Sequence, residues 1–206
     1  NRCWSNAQAY QGEPVSWGHQ LMRQGHRVDS IGKLHYSGSD YDNGFENEIG
    51  SLSANDENPF IAMNDAFFTD GALIRIPANG RLAKLVHLVF ISTANEAGQA
   101  AHIRNWIEAG ANAQGTIIES HLSLGQGASV TNVVTELRIG DGADIEHIKF
   151  QNQSNSAFHL ASLYSELGRA AQYAFHSIAL GARLSRNNLR MRMAQPGTEC
   201  VLNGLY

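Results

Sequence analysis

Between residues 71 and 200 a glycine is followed repeatedly by a small residue and, two further on, by an apolar or small one. The copies are Gly71-Ala72-Leu73-Ile74, Gly110-Ala111-Asn112-Ala113, Gly127-Ala128-Ser129-Val130, Gly142-Ala143-Asp144-Ile145, Gly181-Ala182-Arg183-Leu184 and, more loosely, Gly197-Thr198-Glu199-Cys200. A glycine beside a small residue permits a tight turn. Between the copies run alternating stretches such as Leu73-Ile74-Arg75-Ile76, Val133-Val134-Thr135-Glu136-Leu137-Arg138-Ile139 and Leu189-Arg190-Met191-Arg192-Met193, with the side-chain period near two of a β-strand. Strand-and-turn units of this kind cannot bury an apolar face singly and must stack, which implies an all-β solenoid. The glycines are 15 to 39 residues apart. That excludes the strict six-residue repeat of a left-handed β-helix and favours a right-handed parallel β-helix, the long gaps holding two units each. Asn152, Asn155, Asn187 and Asn188 suit the tight corners and asparagine ladders of such coils.

With 206 residues, 43% of them hydrophobic, the chain has enough apolar material for one sizeable core. Its net charge of -4 offers no basic surplus, so nucleic acid is not an expected partner. The local basic run Arg183, Arg186, Arg190 and Arg192 alternates along one strand and reads as a solvated face. Cys3 and Cys200 make neither a disulfide framework nor a metal-ligand pair, which points to a reducing compartment and a cytoplasmic protein. No stretch approaches the roughly 18 apolar residues a membrane helix needs. The opening Asn1-Arg2-Cys3-Trp4 lacks an initiator Met, which reads as a fragment or a processed start.

Ahead of the repeats, Asn58-Pro59 opens a helix with Asn as cap and Pro in the first turn. The helix is expected over 59–69, with Phe60, Met63, Asn64 and Phe67 as one mostly apolar stripe. The nearly continuous apolar run Leu85 to Ile91 reads as a strand buried on both faces. Gln99 to Glu108 looks helical by propensity alone.

In the first quarter, a capped helix at Ser16 to Gln24 is followed by the strand candidate Arg27 to Ile31, by Gly32-Lys33-Leu34-His35-Tyr36 and by Asp40-Tyr41-Asp42-Asn43-Gly44-Phe45. This order resembles the sulfatase family. The resemblance implies a short α/β-like segment over 1–49 in which Lys33 and His35 take the positions that contact a sulfate ester. A cation beside a hydrogen-bond donor suits such an ester. The family also needs a Cys/Ser-x-Pro-x-Arg nucleophile motif and a calcium site. Cys3 is followed by Trp-Ser-Asn and Cys200 by Val-Leu-Asn, while Asp40, Asp42 and Glu46 lack the twelfth-position glutamate of a calcium loop. A sulfuric ester hydrolase fragment is therefore the alternative reading, and a catalytically incomplete one.

Over 50–206 the residues Asn58 to Gly71, Ile74-Arg75-Ile76-Pro77, Val86-His87-Leu88, Ile118-Glu119, Leu180 to Asn187 and Leu202-Asn203-Gly204-Leu205-Tyr206 occur in the order of the SufB/SufD family of iron-sulfur cluster assembly proteins, and the chain looks more like SufD. The resemblance implies a partial right-handed parallel β-helix with a strand, rather than a helix, at Gln99 to Glu108. It implies a scaffold that acts by protein-protein interaction with SufB-like and SufC-like proteins and catalyses no reaction. The cluster is then the product of the complex, no cofactor is held by this stretch, and the family's later strands and SufC-binding helical domain lie beyond it.

Two other chemistries are weighed on the residues themselves. The histidines at 87, 102, 121, 147, 159 and 176 have no close ligand spacing and read as imidazoles satisfied by backbone or solvent, so no metal ligand is expected. Cys200 reads as a small buried residue. A polysaccharide lyase or hydrolase on a β-helix needs acids clustered on adjacent coils, and Asp141, Asp144 and Glu146 sit at a turn where solvation is the simpler account.

Overall fold

A computed structural model of the chain describes residues 49–54, 56–94 and 98–206. The sulfatase-like segment, with Lys33, His35, Cys3 and the three acids, lies outside the described residues. From residue 59 the order is one helix, α1 (Pro59–Phe67), then ten strands: β1 (Asp70–Ile76), β2 (Val86–Ser92), β3 (Gln99–Ala109), β4 (Gln114–Ser123), β5 (Ser129–Ile139), β6 (Asp144–Asn152), β7 (Phe158–Leu167), β8 (Gln172–Ala179), β9 (Leu184–Arg192) and β10 (Glu199–Leu205). Odd-numbered strands form one parallel sheet in the order β1-β3-β5-β7-β9, and even-numbered strands form the other, β2-β4-β6-β8-β10. The chain thus alternates between two sheets and climbs one strand in each per coil, giving a parallel β-helix of five coils. Ile103 pairs with Val133 and Val133 with Ala161, so successive coils are offset by 30 and 28 residues.

The corner from the odd to the even sheet sets this period. Three coils turn through the same four-residue frame: Gly110-Ala111-Asn112-Ala113, Gly140-Asp141-Gly142-Ala143 and Gly168-Arg169-Ala170-Ala171. At its first position a Cβ would lie 2.5 Å from Ala78 N in Gly110, 2.8 Å from Ala111 N in Gly140 and 2.7 Å from Asp141 N in Gly168, so the backbone of one corner rests on the corner below. The N–H of each of these glycines donates to the last strand residue beneath it, Ile76, Ala109 or Ile139, at 2.8 Å. The third position is left-handed, with φ of +56° at Asn112, +66° at Gly142 and +52° at Ala170, and the fourth is a fully buried alanine. An asparagine ladder does form, between Asn112 and Asn79 on this corner at 3.0 Å, rather than at the positions expected.

The Gly-small-x-apolar signature therefore merges different roles. Gly110 opens a corner because a side chain would collide, Gly142 and Gly197 supply positive φ, Gly127 and Gly181 belong to the opposite corner, and Gly71 lies inside β1. Sequence spacing alone cannot separate these demands, since each is met by the missing side chain.

Inside the coils, rows such as Ile76, Ala109, Ile139 and Leu167, and Ile74, Ile107 and Leu137, stack in register beside the alanine corners and form the main apolar core. Gln99 to Glu108 is strand, as the family resemblance implies: the ladder to β5 overrides its helical propensity. The run Leu85 to Ile91 is not buried on both faces. β2 belongs to the first coil, and Val89 and Ile91 are 44% and 51% exposed on its outer side.

Helix α1 begins where expected, with the Asn58 side chain accepting from Phe60 N, but it ends at Phe67. Its buried side is Ile61 and Asn64, while Met63 and Phe67 are 42% and 63% exposed. Of the expected stripe only Asn64 is fully buried, because the helix turns Ile61 to the outside of the odd sheet, where it packs on Val134 and Tyr164 beside a polar patch. Asn64 Nδ2 donates to the carbonyls of Ile103 and Asn132 at 3.0 Å each. Beside it the fully buried Arg104 meets Asp65 at 2.5 Å, Ser53 Oγ at 2.7 Å and Glu136 at 3.2 Å. The Glu136 carboxylate also accepts from the backbone N–H groups of Gly50, Leu52 and Ser53. Asp56 accepts from the Tyr164 hydroxyl, a bond that lowers its pKa.

Two stability effects follow. Ala170 holds a left-handed conformation that costs an L side chain about 1 kcal/mol, so Ala170→Gly should raise the urea midpoint, whereas Gly110→Ala should lose about 2 kcal/mol by collision. Glu136→Gln removes the buried one of Arg104's two carboxylate partners, leaving only the half-exposed Asp65, and should cost about 3 kcal/mol, read as a lower melting temperature with α1 released first in hydrogen exchange.

Candidate functional site in the solenoid lumen

The lumen is apolar at the glycine corners and polar at the opposite end. β6 shows how: Ile145, His147, Lys149 and Gln151 are its buried, inward residues, while Ile148 and Phe150 face out and are half-buried. Strand alternation has put the polar set inside. Register then stacks Glu119 of β4 on Lys149, and His121 on Gln151. His159 of β7 and Thr131 of β5 approach from the facing sheet, with Gln153 from the connecting turn.

Glu119 is the centre of this group. Its Oε1 lies 2.5 Å from His121 Nε2, and its Oε2 lies 3.3 Å from His147 Nε2. Burial alone would raise the Glu119 pKa, but the two imidazole contacts and the charge of Lys149 hold it well below the usual carboxylate range, so it is ionised. His147 completes its bonding through Nδ1 and the Tyr173 hydroxyl at 3.0 Å. His159 Nδ1 is 2.8 Å from Gln153 Oε1, and the Gln153 amide is oriented by its donation to Thr131 Oγ1 at 2.8 Å. Burial depresses the pKa of both His121 and His159, which keeps them neutral. Lys149 makes no hydrogen bond with any described residue, and burial, partly offset by Glu119, brings its pKa down to about 8.

An opening leads to this cluster. A cavity of about 340 Å³ between the starts of β1 and β3 and the end of β2 has Asp70 and His102 among its lining residues and reaches His121, Thr131 and Gln153. Phe90, also in its wall, stacks on His121 with ring centres 5.0 Å apart. The arrangement can bind a small ligand through imidazole nitrogens, an amide and a cationic or neutral amine. Among the described residues it holds no thiol: Cys200 is half-buried elsewhere and burial raises its thiol pKa.

Reading the histidines as independently satisfied is corrected by these contacts. His121, His147 and His159 are buried together although far apart in sequence, because coils of about thirty residues bring them into register. Their one sequence signal is the alternation Glu119-x-His121 against His147-x-Lys149, which becomes readable only with that period known. His87, His102 and His176 stay at the periphery. Of the three acids expected at a turn, Asp141 lies exposed in the corner, whereas Asp144 opens β6, exposed, and Glu146 lies within β6, half-buried and accepting from Thr116 Oγ1 at 3.1 Å. Among the described residues no three His, Cys, Asp or Glu side chains are gathered around a point suited to a metal ion, and no helix is long and apolar enough to cross a membrane.

Residues 90–206 match the family model described as SUF system FeS cluster assembly, SufBD core domain. The chain is also 30% identical over 148 residues to an iron-sulfur cluster assembly SufBD family protein of Synechocystis sp., an alignment covering 68% of this chain and 33% of that protein. The chain thus spans about a third of the length of this curated relative. No solved structure matches it.

Because the buried ammonium form of Lys149 is disfavoured, the folded chain releases that proton near pH 8 and the unfolded chain near 10.5. Below pH 8 both states hold it and stability is flat in this group; from about 8 to 10.5 the unfolded state binds more protons, so stability rises with pH. The gain is about 3 kcal/mol. Denaturation at a series of pH values should show this rise in the native chain and not in Lys149→Met.

Proposed function

Since this chain belongs to the SufBD family of SUF-system iron-sulfur cluster assembly proteins, we propose that it is a SufD-like scaffold that works by pairing with other Suf proteins and catalyses no reaction itself. The reading takes its partners to be a SufB-like and a SufC-like protein, and the iron-sulfur cluster to be the product of their complex rather than a resident group. The observation that carries it is the extent of the family match: residues 90–206 take in β3 to β10 whole, so what is shared is the solenoid itself.

Cys200 supports the non-catalytic part. Sulfur transfer and cluster ligation use a thiolate, and a thiol whose pKa is raised by burial is poorly prepared for either. The SufD-like part is supported by the motifs from Asn58 to Gly71 and from Leu180 to Asn187, which here form the helix on the odd sheet and the corner into β9. A soluble compartment with reduced thiols, the cytoplasm, fits this role.

Co-expression of the full-length protein with a SufB-like and a SufC-like partner tests it. A stable complex on size exclusion is expected, together with cluster formation that needs the partners and none by the protein alone. Turnover of cysteine sulfur or of ATP by the isolated protein would sink the scaffold reading.

A further inference from the structure

Three buried imidazole nitrogens of the polar lumen have no hydrogen bond among the described residues: His147 Nε2, which at least faces the Glu119 carboxylate at 3.3 Å, and one nitrogen each of His121 and His159, which face no carboxylate. In His121 the Nε2 faces the ionised Glu119 at 2.5 Å and must carry the proton, which leaves Nδ1 with a free lone pair. In His159 the Nδ1 faces the carbonyl oxygen of the Gln153 amide at 2.8 Å and carries the proton, which leaves Nε2 free. Both free nitrogens are fully buried without a hydrogen-bond partner, and both belong to neutral rings. A buried acceptor left open costs about 1–3 kcal/mol, so two of them in neighbouring rings call for an occupant.

We propose that His121 and His159 together hold a divalent first-row transition-metal cation, reached through the cavity beside Phe90, with its remaining coordination positions open to exogenous ligands. Three observations converge on this. The ring centres stand 4.7 Å apart and the planes are inclined by 61°. A nitrogen about 2.1 Å from a cation puts its ring centre about 3.2 Å from it, so two imidazoles on one tetrahedral ion are about 5 Å apart. Each ring is also oriented from behind, by the Glu119 carboxylate in one case and the Gln153 amide oxygen in the other, the support that metal-binding histidines carry. Imidazole suits borderline cations such as Fe²⁺, Co²⁺, Ni²⁺ and Zn²⁺ better than Mg²⁺ or Ca²⁺. The cavity wall includes His121 and Gln153, so an ion arriving from solvent meets that ring and that amide, with His159, bonded to Gln153, behind them.

Lys149 supplies the control. It is the buried cation nearest in charge to both rings: its field lowers the pKa of each, and a second cation in the lumen works against it. The charged groups around the site are Glu119 on β4 and Lys149 on β6, so the ammonium opposes a second cation by plain repulsion, while His147 on β6 and the neutral Tyr173 hydroxyl on β8 complete its surroundings.

Titration of the whole chain with Co²⁺ and Zn²⁺ near neutral pH tests the assignment. One ion per chain is expected, with the visible absorption of imidazole-bound Co²⁺, and affinity should fall roughly tenfold or more in His121→Ala and in His159→Ala. Lys149→Met keeps both rings and removes the competing charge, so it should bind several-fold tighter. This variant decides the matter if the histidine variants do not fold by circular dichroism. Absence of binding, binding unchanged in both histidine variants, or equal or weaker binding in Lys149→Met overturns the site; binding that survives loss of both rings belongs to peripheral His87, His102 or His176 and overturns it too.

Discussion

The contact of one corner's backbone with the corner beneath it governs this molecule. Gly110, Gly140 and Gly168 approach the preceding turn so closely that no side chain fits, and each donates its N–H straight down to the end of the strand below. The contact fixes how far the chain must travel before it may turn again. Everything inside the coils is a result of that fixed travel: apolar rows align beside the alanines, and polar rows align at the far end of the same strands. Strand pairing alone would tolerate a slip, and a one-residue slip in β6 would turn His147, Lys149 and Gln151 to solvent and Ile148 and Phe150 inward. By hydrophobicity that slipped form is the better one, so the corners hold the register against the local preference.

The two polar features are held by different physics. Outside the odd sheet, Arg104 and Glu136 are both fully buried, yet every oxygen of Glu136 is used: three backbone N–H groups and a guanidinium converge on it. Such a satisfied pair fastens α1 and the segment before it without leaving a charge unanswered. Inside, Glu119 lies against two imidazoles, but among the described residues Lys149 has no hydrogen bond and three imidazole nitrogens have none. The outer network is structural and closed except at Arg104 Nε, while the inner one is open. Open buried polar groups are costly and mark places where a fold has been shaped by something other than its own stability.

The architecture was legible in the sequence because the corner chemistry is written into it: glycine, alternation and a period too irregular for a six-residue repeat lead to stacked parallel strands. The helix start at Asn58-Pro59 was equally plain, since a cap is a local device. What escaped was anything that depends on register. Of the α1 stripe only Asn64 docks, because its partners are main-chain carbonyls 39 and 68 residues away, and the apolar contact falls to Ile61 on Val134 and Tyr164 rather than to Met63 and Phe67. The run Leu85 to Ile91 was misjudged because apolar content does not tell an inner coil from an end coil. The lumen cluster escaped because its members are drawn from β4, β6, β7 and a turn, and their spacing carries no pattern until the thirty-residue coil is known.

Each corner reads only the corner beneath it, and each strand pairs only with the strands one coil away. Length along the axis is therefore independent of cross-section, as the number of storeys in a tower is independent of its floor plan. Duplication or loss of one coil, about thirty residues beginning at a corner glycine, would leave every remaining contact between coils intact while moving the Glu119–Lys149 layer nearer to or farther from either end. A lineage built this way can shift the depth of an internal polar layer by whole storeys, about 5 Å each, without redesigning the layer.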